Sequence, residues 1–405
     1  MNFPGSNVRG VCPTVTTPMQ TGDGLLARII SNTPISVTEF CSLCDAAEEH
    51  GNGIVEITQR GSLQVRGLSP ASVPRFAVVM DRLGIGADQS PPLLTSPLFG
   101  LDAGETFDST PLLAQLRASL QRDRPGFEGL GPKVSVLVDG GGSLHLDAVS
   151  ADIRIEATFN HLFKLSLAGD AHAASFVGYV SMNRVVASVE DLLRLVASWG
   201  PTARARDLVA GLRLSAPPAV TRPPCDPIGA YPLKDGTFAS GFGLPFGHTR
   251  AAALKRFAQS AANLGVRGMR AAPGRALLAI GSSLAAAEDL RDSAAKEGFI
   301  VNATDARRHV VACAGTPACA SARLPTRELA PEVARAAHSF AGTSHEVHLS
   351  GCSKGCAHPG PAAVTIVGPD HVVINGCAGD TPRATVSSAG LIADIERLCN
   401  KIRHG

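Results

Sequence analysis

Four cysteines have a spacing that could do chemistry. Cys313 and Cys319 bound the run Cys313-Ala314-Gly315-Thr316-Pro317-Ala318-Cys319, and Cys352 and Cys356 bound Cys352-Ser353-Lys354-Gly355-Cys356. The gaps are five and three residues, filled mostly by glycine and other small residues. Thiolates ligate the irons of iron-sulfur clusters, and small neighbours let the backbone wrap a bulky inorganic core with its N–H groups aimed at the sulfides. Structural zinc is the rival for such a set, but its ligand pairs are usually separated by about two to four residues and one gap here is five. Free core cysteines are the third reading, and the spacing favours the cluster.

The elements that must position these thiols come in two copies. Strands are expected at 25–30, 54–58 and 62–66, with one helix capped by Ser36 or Thr38 and another starting near Ser69-Pro70, carrying Val73, Phe76, Ala77 and Met80 on one face. Strand, helix, paired strands, helix is an α+β sandwich on an antiparallel sheet. After a proline-rich linker at 216–228 the order returns: strand 237–244, helix 249–264, strands 268–272 and 276–280, helix 283–296. The following segments also match, 134–142 with 347–355, 151–157 with 362–368 and 163–168 with 371–376, as do closing helices at 189–196 and 391–398. On that register Asp139 and Ser143 stand where Cys352 and Cys356 stand, so only the second copy holds a cluster. The expected units are 1–85, 86–215, the linker, 229–300 and 301–405.

Composition sets outer bounds. A chain of 405 residues with 44% apolar and 18% charged residues is ample for several cores, and a net charge of +2 points to no nucleic-acid partner. No basic-then-apolar leader and no apolar run of about eighteen residues is apparent, so a cytoplasmic protein without a membrane partner is expected. Ten cysteines in such a chain suit reduced thiols and metal ligation.

The whole cluster phrase, a five-residue gap, a long insert and Gly351-Cys352-x-x-x-Cys356-Ala357-His358-Pro359, resembles the signature of the sirohaem-dependent sulfite and nitrite reductases. The resemblance implies a pseudo-twofold repeat of a ferredoxin-like half-domain followed by a larger α/β cluster-type domain, the first of these lacking its cysteines. It implies a 4Fe-4S cluster on Cys313, Cys319, Cys352 and Cys356, with Cys356 nearest the tetrapyrrole. In the first copy, Glu56 to Gly67 is similar to the stretch that reaches the tetrapyrrole, which makes Arg60 the anion-facing and catalytic cation, with Gln64 and Arg66 beside it. Lys133 falls where the family has the first of two site lysines. Arginine suits the role because its planar fork grips oxyanions and carboxylates through paired hydrogen bonds. The bland alternatives are a solvated turn arginine and an ordinary strand-end lysine.

Departures from the reductase pattern are informative. The second lysine position is Ser135 and the second arginine falls near Pro91, so two of the four expected cations are gone. Arg9-Gly10-Val11-Cys12-Pro13, Pro18-Met19, Thr21-Gly22-Asp23-Gly24-Leu25-Leu26, Ser96 to Asp102 and Leu137-Val138-Asp139-Gly140-Gly141 resemble instead the precorrin-3B synthases of aerobic cobalamin biosynthesis. That branch implies a monooxygenase acting on precorrin-3A and dioxygen, hydroxylating C20 with lactone formation. It further implies a mononuclear non-haem iron beside the cluster and electrons from NADH through a donor protein. The alternative is a small reductase of sulfite or nitrite carrying sirohaem; a non-enzymatic electron carrier has no use for two substrate-shaped halves.

A mononuclear iron would need protein ligands, and such irons prefer two histidines and one carboxylate. The candidates are His358, His348, His345 and His309, with Asp23 in the N-terminal loop, each more simply a core, surface or turn residue. Cys41 and Cys44 read as helix surface and core, and Cys225, Cys377 and Cys399 as small apolar residues. Gly140-Gly141-Gly142 lacks the strand-to-helix setting of a nucleotide site. Arg204 with Arg206 and Arg307 with Arg308 read as solvated faces, the second pair also as a landing point for an acidic donor.

Overall fold

The computed structural model describes residues 12–86, 91–158, 161–212, 214, 222–358, 360–385 and 390–404. The expected Arg9-Gly10-Val11, Ser90, residues 216–221 of the proline-rich linker and Pro359 lie outside them. The first α+β unit forms as its pattern dictates. Ser36 caps the helix Val37–His50 in a capping box, its Oγ accepting from Glu39 N at 3.3 Å while a Glu39 carboxylate oxygen accepts from Ser36 N at 3.0 Å. Phe40, Leu43 and Ala47 bury one face of it, and Phe76 and Met80 that of Val73–Arg82.

Each half lends a strand to the other. One sheet runs Met19–Thr21, Gly24–Ile29, Leu63–Leu68, Ile54–Ile57 and then His248–Arg250 from the second half; the other runs Gly229–Pro232, Phe238–Gly243, Ala276–Ser282, Gly268–Ala272 and then Ile35–Ser36 from the first. The expected helix 249–264 therefore starts later, as Ala251–Asn263, because Thr249 and Arg250 pair with Val55 and Ile54. Phe40, Leu43, Leu254, Phe257 and Phe299 belong to one buried cluster, so the two halves fold around a single core. Burying each of these large side chains is worth about 1.5–3 kcal/mol, which couples the halves.

The two larger domains have their own cores and identical sheets. Leu93–Thr95, Val136–Asp139 and Ala151–Ala157 run parallel, followed by antiparallel Leu162–Gly169 and Ser175–Ser181; Val310–Ala312, Val347–Ser350, Ala362–Val367, His371–Gly376 and Ala384–Thr385 repeat that order and those directions. Val136 pairs with Ile153 and Val347 with Val364, so Val136 matches Val347. The register read from sequence is thus two residues out: Asp139 matches Ser350, and counting along the loops Cys352 and Cys356 fall opposite Gly141 and His145, not Asp139 and Ser143. A slip of two keeps every side chain on its own face, so hydrophobic alternation cannot detect it.

Candidate functional site

Cys313 and Cys352 follow the ends of neighbouring parallel strands, Val310–Ala312 and Val347–Ser350. Ligands of open α/β sheets sit at such carboxyl ends. The loops are tied together: Cys313 N donates to Leu349 O at 3.1 Å, Arg323 N to Gly351 O at 2.8 Å, and Gly351 N to Cys313 Sγ at 3.2 Å. Gly315, at φ +64°, packs so closely on Thr326 that a Cβ would lie 2.4 Å from its Oγ1. Gly22 backs the second thiol, since a Cβ there would lie 2.1 Å from Cys319 Sγ, and Ala320 N donates to Gly22 O. Burial pushes the Cys356 thiol up, helped by Cys352, Cys313 and Cys319 and opposed by Arg66, so all four thiols and this arginine share one field. Convergent thiols, glycine-lined walls and an N–H on sulfur fit an iron-sulfur cluster.

A charged strut fastens this site to the first half-domain. Arg66 donates to Asp23 through Nε at 2.8 Å and Nη2 at 2.5 Å, and to Glu56 at 3.1 Å, with Arg327 3.5 Å from Glu56. Burial pulls the Asp23 carboxyl up, but the Arg66 pairing wins and leaves it below its ordinary value. Gln64 bridges the same network, its amide nitrogen donating to Glu56 at 3.1 Å and its oxygen accepting from Arg28 at 2.9 Å. The structure therefore places Gln64 and Arg66 inside a saturated network, and Asp23 in an ion pair.

Arg60 stands in the turn between Ile54–Ile57 and Leu63–Leu68 and reaches the first cluster-type domain, Nη2 donating to Ser150 O at 2.7 Å and lying 3.5 Å from Ser135 Oγ. It lines a cleft with Arg270, Thr95, Leu146 and Val149, contributed by both halves and that domain. Protein surrounds its guanidinium although solvent reaches the residue, so desolvation, then Arg28, lowers its pKa. Arg270 is buried, donates to Thr95 Oγ1 at 2.7 Å and has Nη1 unpartnered among the described residues; burial pushes it down to about 9. Sequence reasoning passed over Arg270, whose one signal is a lone cation in the small-residue strand Gly268–Ala272. Lys133 is exposed, two residues before Ser135, and does not line this cleft.

The remaining candidates divide by partner. Asp139, Asp147 and Glu156 bring ligand atoms within 4.8 Å of one another, but Arg222 meets both aspartates and Arg154 and Lys164 meet Glu156, which makes a neutral knot. Arg204 is no solvated face, since it holds buried Asp152 through two 2.8 Å bonds, while Arg206 is exposed. Arg307 and Arg308 are likewise engaged, by Asp305 and Asp226. Cys44 and Cys399 are core residues; Cys225 is exposed. His309 Nδ1 lies 3.0 Å from His345 O, and His348 is fully buried in the strand that leads to Cys352.

Residues 18–77 match the nitrite/sulfite reductase ferredoxin-like half domain. The NirA protein of Mycobacterium tuberculosis superposes with a TM-score of 0.73 at 19% identity, over 94% of this chain and 81% of that one. A ferredoxin–nitrite reductase of Synechococcus elongatus is 23% identical over 78% of this chain and 70% of its own length. The fold is that of the nitrite/sulfite reductase class, and residues 18–77 carry that class's ferredoxin-like half domain. Within that class a precorrin-3B synthase of Sinorhizobium sp. is 37% identical over 98% of this chain and 89% of its own length. The chain belongs to the precorrin-3B synthase family. No helix among the described residues is long and apolar enough to cross a membrane.

Proposed function

We propose that this chain makes precorrin-3B as a monooxygenase, hydroxylating precorrin-3A at C20 with dioxygen and closing a lactone. It does so in the cytoplasm, with electrons drawn from NADH through a donor protein. The observation that carries the reading is the neighbourhood of Arg60. The cleft keeps two arginines suited to the acetate and propionate arms of a reduced tetrapyrrole, but has Ser135 rather than a second lysine where a small-anion reductase concentrates charge. When bound, a 4Fe-4S cluster on Cys313, Cys319, Cys352 and Cys356 supplies electrons singly and a mononuclear non-haem iron the activation of dioxygen.

The chain's own residues do the rest. Arg60 and Arg270 orient the macrocycle by its carboxylates, and the Asp23–Arg66–Glu56 network, met by Arg327 at Glu56 and by Ala320 N at Gly22 O, holds the first half against the cluster loops. Leu146 and Val149 give the cleft apolar wall that keeps water from the ring. Protein purified without oxygen should show a broad brown absorption with no sirohaem bands, and should place one atom of isotopically labelled dioxygen in precorrin-3A. A sirohaem spectrum with sulfite or nitrite turnover would overturn the reading in favour of a reductase.

A further inference from the structure

Beside the cluster loops lies a second constellation. Glu346 immediately precedes the strand Val347–Ser350, and His348 is two residues on, so both side chains project from the same face. His348 is 0% exposed and neither ring nitrogen has a partner among the described residues. A buried imidazole with both nitrogens unmatched is costly and calls for a ligand. Its ring lies 5.7 Å, centroid to centroid, from that of His358, which follows Cys356.

His358 is oriented as a metal ligand is. Its Nε2 faces Pro361 O at 3.2 Å, where a nitrogen carrying hydrogen donates, and its Nδ1 faces a Glu346 carboxylate oxygen at 3.5 Å. In that neutral tautomer two lone-pair bearers face each other, and a cation between them relieves the repulsion. Two donors each about 2 Å from one ion stand about 3 Å apart, close to this separation. The other Glu346 oxygen accepts from Arg275 at 2.8 Å, the outer contact that fixes a ligating carboxylate. Two histidines and one carboxylate are the set that open-sided ferrous sites use.

We infer that Glu346, His348 and His358 form a site for a divalent first-row transition metal, ferrous iron in the working protein, directly against the cluster. A Cβ on Gly355, the residue before Cys356, would lie 3.8 Å from the His348 ring, so the two metal sites share a wall. Among the described residues the acidic knot of Asp139, Asp147 and Glu156 already has its ligand atoms within 4.8 Å of one another, but three cations neutralise it; here His348 is unmatched among the described residues and closes on the Glu346–His358 pair when the ion binds, with Arg275 the one arginine paired with that carboxylate among them. The inference deepens the mononuclear-iron part of the proposed function and rests on that reading only for the identity of the ion.

The test uses full-length, cluster-loaded protein handled without oxygen. Iron is measured against acid-labile sulfide, and the extra ferrous iron is read by the high-spin electron-resonance signal of its nitric oxide adduct. His358→Asn and Glu346→Gln, both at partly exposed residues, and His348→Leu should each weaken retention of this iron at least about 10-fold while the cluster absorption stays. In the wild type, chelation followed by Co(II) titration should yield visible d–d bands that the same variants lack, a readout independent of turnover. Extra iron that survives all three substitutions overturns the assignment and leaves the proposed function standing. An active wild type with no iron beyond its cluster overturns both.

Discussion

Arg66→Met distinguishes a strut from a substrate contact. The Arg66 and Asp23 side chains are 9% and 2% exposed, and Glu56 shares the same guanidinium. Removing one partner of a buried pair costs about 3–5 kcal/mol, because the carboxylate left behind has neither water nor charge. For a folding unit of this size that is on the order of 10 °C in Tm. The pH dependence has a definite sign. In the native protein the Asp23 carboxyl sits below its ordinary value, so its contribution is present above the unfolded pKa of about 3.9 and is lost as pH falls through the folded value. Without Arg66, burial is opposed by the Thr21 hydroxyl and a backbone hydrogen bond, so that carboxyl rises from its native value and the gap to wild type closes on the acid side. Adding Asp23→Asn should restore part of the loss, a coupling that a double-mutant cycle measures. Denaturant unfolding of cluster-loaded protein at several pH values is the assay. An Arg66→Met protein with unchanged Tm but weakened tetrapyrrole binding would refute the reasoning and return Arg66 to the substrate.

Gly22→Ala should make the cluster labile, because its Cβ would lie 2.1 Å from Cys319 Sγ; iron, sulfide and visible absorption report it, and full retention would show that the N-terminal loop does not back this thiol. Arg60→Gln should raise the KM for precorrin-3A about tenfold or more with a smaller change in kcat, as expected for a lost charge-assisted hydrogen bond worth about 1.5–3 kcal/mol; an unchanged KM would make Arg60 a tether to Ser150 only. Phe257→Ala removes a buried ring shared by both half-domains and should cost about 3–5 kcal/mol in one cooperative transition, whereas separate melting of the halves would contradict a common core.

Local signals were legible where local chemistry decides. The Ser36 capping box, the face of Phe76 and Met80, and the strands around Arg60 follow from residues within a turn or two of each other. The exchange of Ile35–Ser36 and His248–Arg250 between sheets was not, because those strands pair with residues some two hundred positions away and carry no alternation of their own. The cysteine loops announced themselves by spacing. Partners did not: a charged residue reads the same in sequence whether solvated, as Arg206 is, or locked onto a buried aspartate, as Arg204 is.

The corrected register also explains how one scaffold serves two ends. Matching Val136 to Val347 places Ser135 opposite Glu346 and Leu137 opposite His348. Each of these acid-or-serine positions receives an arginine from a hairpin turn of the central body, Arg60 at Ser135 and Arg275 at Glu346. The backbone frame is the same, but in the first copy the strand face is apolar, Leu137 packing with Leu146 and Val149, and its arginine is left to face the cleft. In the second copy the face carries a carboxylate and an unmatched imidazole, and its arginine is spent on holding the carboxylate. Replacing Ser135 by glutamate should therefore capture Arg60 as Glu346 captures Arg275, and weaken tetrapyrrole binding about as much as Arg60→Gln does while the Arg60 side chain remains in place. If Ser135→Glu binds precorrin-3A as wild type does, Arg60 is not the cation that the cleft offers to the macrocycle.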